Sequence, residues 1–202
     1  MNKFLVSNLG VVMSFKTLAF AVLAVFSLVS GAAAATITFQ FSGVVTYGAP
    51  MAVAVGTPIV GTFSYDTKTD PAFKYKGFAG YEIPAPATIS ATVGGHSIAA
   101  GNLSVFVWNN MAGNTQDMVS VSGGPSVLDG TTFPDGNFGI SLASGPRSKK
   151  VLKNTKLPTE VFVSEFDAGP SLTYGSFRRD GSPDGGLLEF TVDSIVVLHT
   201  IP

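Results

Sequence analysis

The sequence predicts an all-β fold, an antiparallel β-sandwich or jelly roll, preceded by an N-terminal signal helix. Three observations carry that expectation. Apolar and polar residues alternate with period two in short runs, beginning over 36–47, where Ile37, Phe39, Phe41, Val45 and Tyr47 fall on one face and Thr36, Thr38, Gln40, Ser42 and Thr46 on the other. Glycine, proline and aspartate recur between the runs at spacings that suit turns. No stretch after residue 36 carries a convincing 3.6-residue period. Composition agrees: 23 glycines, 16 phenylalanines and only 12% charged residues suit sheets whose outer faces carry hydroxyls and amides.

The first element is a leader. Lys16 precedes TLAFAVLAVFSLVS and then GAAAA, an apolar core followed by small residues. Signal peptidase admits only small side chains at its −3 and −1 positions, so Ala32/Ala34 direct cleavage before Ala35 and Ala33/Ala35 before Thr36. Met13 opens a leader of ordinary length by itself and is the alternative start. An uncleaved membrane anchor over 18–35 is the competing reading, and its alanine-glycine tail argues against that. The expected organisation is a signal peptide over 1–35 and a single domain over 36–202. The chain has no cysteine, and an exported domain of this size without disulfides fits a bacterial envelope or extracellular protein. Secreted or extracellular is the expected location, with the periplasm as the alternative. Without Lys3 and Lys16 of the leader, 10 basic residues face 13 acidic ones, a net charge of −3. That balance argues against nucleic acid as a partner and, after signal cleavage, against a membrane.

Along the domain, 58–66 reads as the second strand, with Ile59, Phe63 and Tyr65 opposite Thr62, Ser64 and Asp66. Residues 51–55 read as a short strand or an apolar loop, and 66–71 (DTKTDP) as a turn capped by its own side chains. The aromatic stretch 73–83 reads as a loop or irregular strand. A hairpin follows over 87–100 through Gly94-Gly95. Further strands are expected over 103–108, 117–122 and 138–142, with 125–137 as turns. The segment 149–157 allows a short helix. The last strands are expected over 161–166, 172–177 and 187–198, the final one shifting near Asp193-Ser194 toward a more central place.

Residues able to carry chemistry are few. The chain has no G-x-S-x-G motif, and its two histidines, His96 and His199, lie far apart. His96 reads as a solvated hairpin residue. Glu82, Glu160, Glu165 and Glu189 could supply a glycosidase acid pair, but nothing in their spacing pairs them. Asp180, Ser182 and Asp184, with Gly185 after them, reproduce the first half of a calcium loop, the one cofactor candidate; Thr191 stands where the bidentate glutamate belongs. Two successive turns are the plainer reading. Arg147, Lys149, Lys150, Lys153 and Lys156 form the one charge run and are a polyanion-binding candidate, the plainer reading being a solvated loop. Tyr75 and Tyr81 are the carbohydrate-stacking candidates, and Phe78 and Trp108 could join them.

The order ITFQFSGVVTYG, a Gly/Pro segment, GTFSYDTKTDP and the ATVGG hairpin resembles exported bacterial proteins of the PEP-CTERM class, over roughly 13–100. The departure is the end: the chain stops at Ile201-Pro202 without the sorting tail. The resemblance implies an envelope or matrix protein of exopolysaccharide-producing bacteria and brings no catalytic residues. The expected function is therefore a non-enzymatic secreted protein acting by binding or structure, with exopolysaccharide or cell-surface components as partners. A carbohydrate-binding module is the alternative, and a secreted glycosidase or esterase the second alternative.

Overall fold

Alternating sequence becomes alternating burial along β1, where Ile37, Phe39, Phe41, Gly43 and Val45 are buried and the residues between them are not. The computed structural model describes residues 36–110, 116–145, 151–161, 163–166, 174–179 and 186–201, all within one compact unit, Ala34–Pro202. The strands are β1 (Thr36–Tyr47), β2 (Pro58–Asp66), β3 (Phe73–Tyr75), β4 (Phe78–Glu82), β5 (Ile89–Val93), β6 (His96–Ala100), β7 (Ser104–Trp108), β8 (Met118–Gly123), β9 (Ser126–Leu128), β10 (Thr131–Phe133), β11 (Asn137–Ala143), β12 (Tyr174–Arg178), β13 (Gly186–Thr191) and β14 (Ser194–Ile201).

These fourteen strands form one antiparallel sheet whose path runs β10, β9, β6, β5, β2, β1, β13, β12, β11, β8, β7, β4, β3, with β14 beside β1 off that path. The sheet is open, because β10 and β3 end the path and do not pair with each other. This corrects the sandwich or jelly roll expected from the sequence: a single hydrogen-bonded path joins strands that a sandwich would divide between two sheets. The core still has two walls. Phe41 on β1 and Phe138 on β11 stand three strand spacings apart along the path, about 14 Å in a flat sheet. Their rings are 6.4 Å apart, so the sheet curls until its own concave face meets itself.

The curl begins in β1. Residues 36–42 pair with β14 on one edge, and from Val45 that same edge pairs with β13 instead. Between them, Asp193 donates its N–H to the Ser42 carbonyl at 2.8 Å, and Val44 donates to Thr191 Oγ1 at 3.3 Å. A Cβ on Gly43 would run into the Thr191 carbonyl, so the crossing needs glycine. The core relies on a related device. Phe41 faces Gly61 across β1–β2, and Phe190 faces Gly175 across β12–β13. In each pair the ring lies over the glycine, in the space a side chain would take.

An irregular strap, described over 151–161 and 163–166, fills the part of the core that strands leave uncovered, burying Leu157, Val161 and Phe166. Two tyrosines tie it down: Tyr81 donates to the Thr155 carbonyl and Tyr65 to the Pro158 carbonyl, both at 2.6 Å. Burial pushes both phenols above their ordinary pKa, which keeps them protonated donors. Asp117 is buried and accepts from three backbone N–H groups: Asn110 at 2.8 Å, Val151 at 2.8 Å and Leu152 at 2.6 Å.

Several local expectations change. Among the described residues the helical turns are the 3-10 turns Ala49–Met51 and Val163–Glu165, so the expected strand over 161–166 is part of the strap. In the described part of the expected short helix, 151–157, Asp117 holds Val151 and Leu152, and bends follow over 153–156. No signal helix belongs to the fold described here, and residues 1–35 lie outside the described residues. Residues 73–83 form the hairpin β3–β4, and 126–133 form the hairpin β9–β10 around Asp129-Gly130. β14 is an edge strand that exposes Val196, Val197 and Leu198, rather than a central one.

Asp117→Ala leaves three backbone donors without their charged acceptor, and the expected loss in urea unfolding is about 3 kcal/mol or more. Asp117→Asn keeps one acceptor oxygen and loses less. A change in Asp117→Ala below about 0.5 kcal/mol, the usual scale of a surface substitution, would contradict this role.

Candidate functional site

Strands alternate their side chains between two faces, so at the β3 end of the sheet the residues not in the core share one outer surface. On β4 and β7 the core takes Ala79, Tyr81, Val105 and Val107. Their neighbours Phe78, Phe106 and Trp108 face outward and are half-buried, because they cover one another. β3 adds Phe73 and Tyr75, which are 38% and 68% exposed. Phe78 lies at the centre: its ring centroid is 4.7 Å from Trp108, 5.3 Å from Phe73 and 6.4 Å from Tyr75, the last nearly parallel at 10°. Phe106 stands 5.6 Å from Trp108. Phe73 lies flat because its cross-strand partner is Gly80, where a Cβ would enter the ring. Five rings thus form one continuous outer patch without a core to cover them.

Beside the patch, the β3–β4 turn and the end of β7 enclose an open cleft of about 620 Å³, lined by Lys74, Tyr75, Lys76, Asn109, Asn110 and Asn154 among others. Its rim is held by backbone and side chain together. Asn109 donates its N–H to the Gly77 carbonyl at 2.8 Å, and Asn110 Nδ2 donates to Asn109 Oδ1 at 2.6 Å. Asn110 sits in the left-handed region, φ 61°, with its N–H on Asp117. Asp117 therefore fixes the cleft rim and the strap with one carboxylate. The arrangement offers ring faces, amides and two ammonium groups on an open surface, which suits recognition of an amphipathic, hydroxyl-rich molecule.

The sequence-level candidates divide. Tyr75 is in the patch, as are Phe78 and Trp108. Tyr81 is buried with its hydroxyl on Thr155, so it cannot stack on a ligand; the assignment of Tyr81 to a stacking surface is corrected. Lys153 and Lys156 are exposed on the strap, whose backbone is anchored rather than freely solvated. Arg147, Lys149 and Lys150 lie outside the described residues, as do Asp180, Ser182 and Asp184. Among the described residues no group of three or more His, Asp or Glu side chains is placed to hold a metal. Glu82, Glu160, Glu165 and Glu189 are each exposed. Phe73 and Phe106 were not singled out in the sequence, although Phe106 and Trp108, two positions apart in a strand, necessarily share a face.

His96 is not simply solvated. Its Nδ1 lies 2.6 Å from Asp129 Oδ2, while Asp129 Oδ1 accepts the Ser97 N–H at 2.7 Å, joining the β5–β6 and β9–β10 turns. The hydrogen bond from His96, then that from Ser97, holds the Asp129 carboxyl below its ordinary pKa.

No family model, curated protein or solved structure matches the chain. The resemblance to PEP-CTERM proteins is therefore corrected: its motifs are local strand-and-turn chemistry. The GTFSYDT stretch is β2 followed by a turn in which Lys68 donates its N–H to Asp66 Oδ1 at 2.8 Å. Ile201, which stands where a sorting signal would open, is the last residue of β14.

Because the folded-state pKa of Asp129 is depressed, its contribution to stability is present above the unfolded carboxylate pKa and lost as pH falls through the folded one. The melting temperature of Asp129→Asn should lie slightly below wild type at neutral pH, and the difference should close on acidification. A difference that widens on acidification contradicts the assignment. The pair is exposed, so the effect is small.

Proposed function

We propose that the protein is a non-enzymatic, polysaccharide-binding component of a bacterial envelope or extracellular matrix. The observation that carries the reading is the outer patch of Phe73, Tyr75, Phe78, Phe106 and Trp108. Contiguous exposed apolar surface of this kind marks an interaction site. Its flat ring faces suit the C–H faces of pyranose rings, and the amides and ammonium groups of the adjoining cleft suit their hydroxyls. Binding rather than catalysis is also supported by the carboxylates. Asp117, which is buried, already accepts three backbone N–H groups, and the four glutamates once considered as an acid pair lie in water. Placement outside the cytoplasm, where such polymers accumulate, is part of the same proposal.

Trp108 is the chain's one tryptophan, so its fluorescence reports the patch alone. Titration with bacterial exopolysaccharide should shift its emission to shorter wavelength and saturate. Tyr75→Ala, which removes the most exposed ring, should weaken binding by about 1 kcal/mol, several-fold in Kd. Unchanged emission across a glycan panel, together with unchanged retention of Tyr75→Ala on polysaccharide resin, would falsify the reading.

A further inference from the structure

Among the described residues, three strands pair on one side only: β3, β10 and β14. Short length, charge and proline are the usual devices that keep such an edge from pairing with another chain. β3 and β10 have them. Each is three residues long; β3 holds Lys74 and is followed by Lys76, and β10 is followed directly by Pro134 and Asp135. β14 has almost none of them. It runs for eight residues, SIVVLHTI, with no proline and no Asp, Glu, Lys or Arg. Its one irregularity is Leu198, an extra residue between the partners of Thr38 and Phe39, and this bulge turns out a leucine rather than a charge. The core also reaches solvent here. Val197 is the cross-strand partner of Phe39, which pairs in turn with Phe63, so it belongs to the core-facing row. Phe39 and Phe63 are buried, whereas Val197 is 42% exposed, with Val196 at 49% and Leu198 at 52% on either side of it.

We propose that β14 is a homodimer interface, pairing antiparallel with β14 of a second copy about a two-fold axis at Val197, perpendicular to the sheet. Such an axis keeps each face of the sheet on its own side. Val197 of one copy then meets Val197 of the other, and the core layer runs on across the join. Charge selects both the occupant and its orientation. β14 has no charged side chain to repel its own copy or to choose a foreign strand. The nearest charge, Asp193, falls opposite Ile201 of the copy. The two Asp193 carboxylates are thereby kept about 27 Å apart along the ladder, well beyond the Debye length of about 8 Å. Parallel pairing would set them side by side. Edge pairing with three aliphatic side chains from each copy is smaller than a standard interface of roughly 1,200 Å² or more, so the dimer is expected in the micromolar range. The inference stands whether or not the aromatic patch binds polysaccharide. If it does, the dimer carries two patches, and a polymer that reaches both is held by both.

The test is sedimentation equilibrium of the whole protein from low to high micromolar concentration, where a monomer–dimer equilibrium is expected. Val196→Lys, on the outer face opposite Gln40, brings two ammonium groups into one interface. It should weaken the dimer by about tenfold or more and leave the Trp108 emission of the folded protein unchanged. Tyr75→Ala should leave the dimer intact. The chain has no cysteine, so Val197→Cys supplies a lone thiol at the axis. Mild oxidation of that variant should give a disulfide-linked dimer, and Val60→Cys, at an exposed position on β2, should give far less. A protein that stays monomeric throughout, a dimer indifferent to Val196→Lys, or equal crosslinking by the two thiols overturns the β14 interface. A dimer lost in Tyr75→Ala instead assigns association to the aromatic patch and overturns it as well.

Discussion

The fold turns on the crossing of β1 past Thr191. Up to Ser42, β1 lies between β2 and β14; beyond Gly43 its second neighbour is β13. One strand thus belongs to both limbs of the sheet, and the absence of a side chain at Gly43 lets the Thr191 carbonyl come close enough for the exchange. A flat sheet of this many strands would leave Phe41, Phe138 and Phe190 in water. Turned at β1, the same sheet brings them within 6.0–6.4 Å of each other and out of solvent. Burying such rings is worth about 1.5–3 kcal/mol each, enough for a few of them to decide between open and curled states.

Curling also decides what remains outside. The longer strands have one face spent on the core, so side chains at alternate positions are committed to the surface. At β3, β4 and β7 those positions hold aromatic rings; at β8, β11 and β12 they hold serines. The strap completes the enclosure without adding a strand, and Asp117 joins it to the end of β7. The core and the candidate binding surface are therefore two faces of the same strands. A change in curvature would alter the spacing of the rings as well as the packing beneath them.

Sequence patterning disclosed this unevenly. The alternation over 36–66 is plain because β1 and β2 are long and have one face buried, and Phe39, Phe41, Ile59, Phe63 and Tyr65 occupy the buried face. Strands of three residues, such as β3, β9 and β10, are too short to show a period, which is why 73–83 reads as a loop or irregular strand and 125–137 as turns. Phe166 and Val161 resemble strand residues because they are buried, yet burial in a strap imposes no period. Topology was not legible at all: nothing near Gly43 in the sequence announces that its neighbour is Thr191. His96 read as solvated for the same reason, since Asp129 is far along the chain. Of the surface patch, Tyr75, Phe78 and Trp108 were legible as exposed-ring candidates. Tyr81 was not distinguishable from them until its strand neighbours fixed which face it shares.

The crossing at Gly43 is tested most directly by comparing urea unfolding of Gly43→Ala with that of Gly101→Ala, where an added Cβ meets nothing within 4 Å. The account predicts that Gly101→Ala unfolds near wild type, while Gly43→Ala loses on the order of 3 kcal/mol or fails to reach the folded state. Equal midpoints for the two variants would contradict the claim that the sheet turns on the contact between β1 and Thr191.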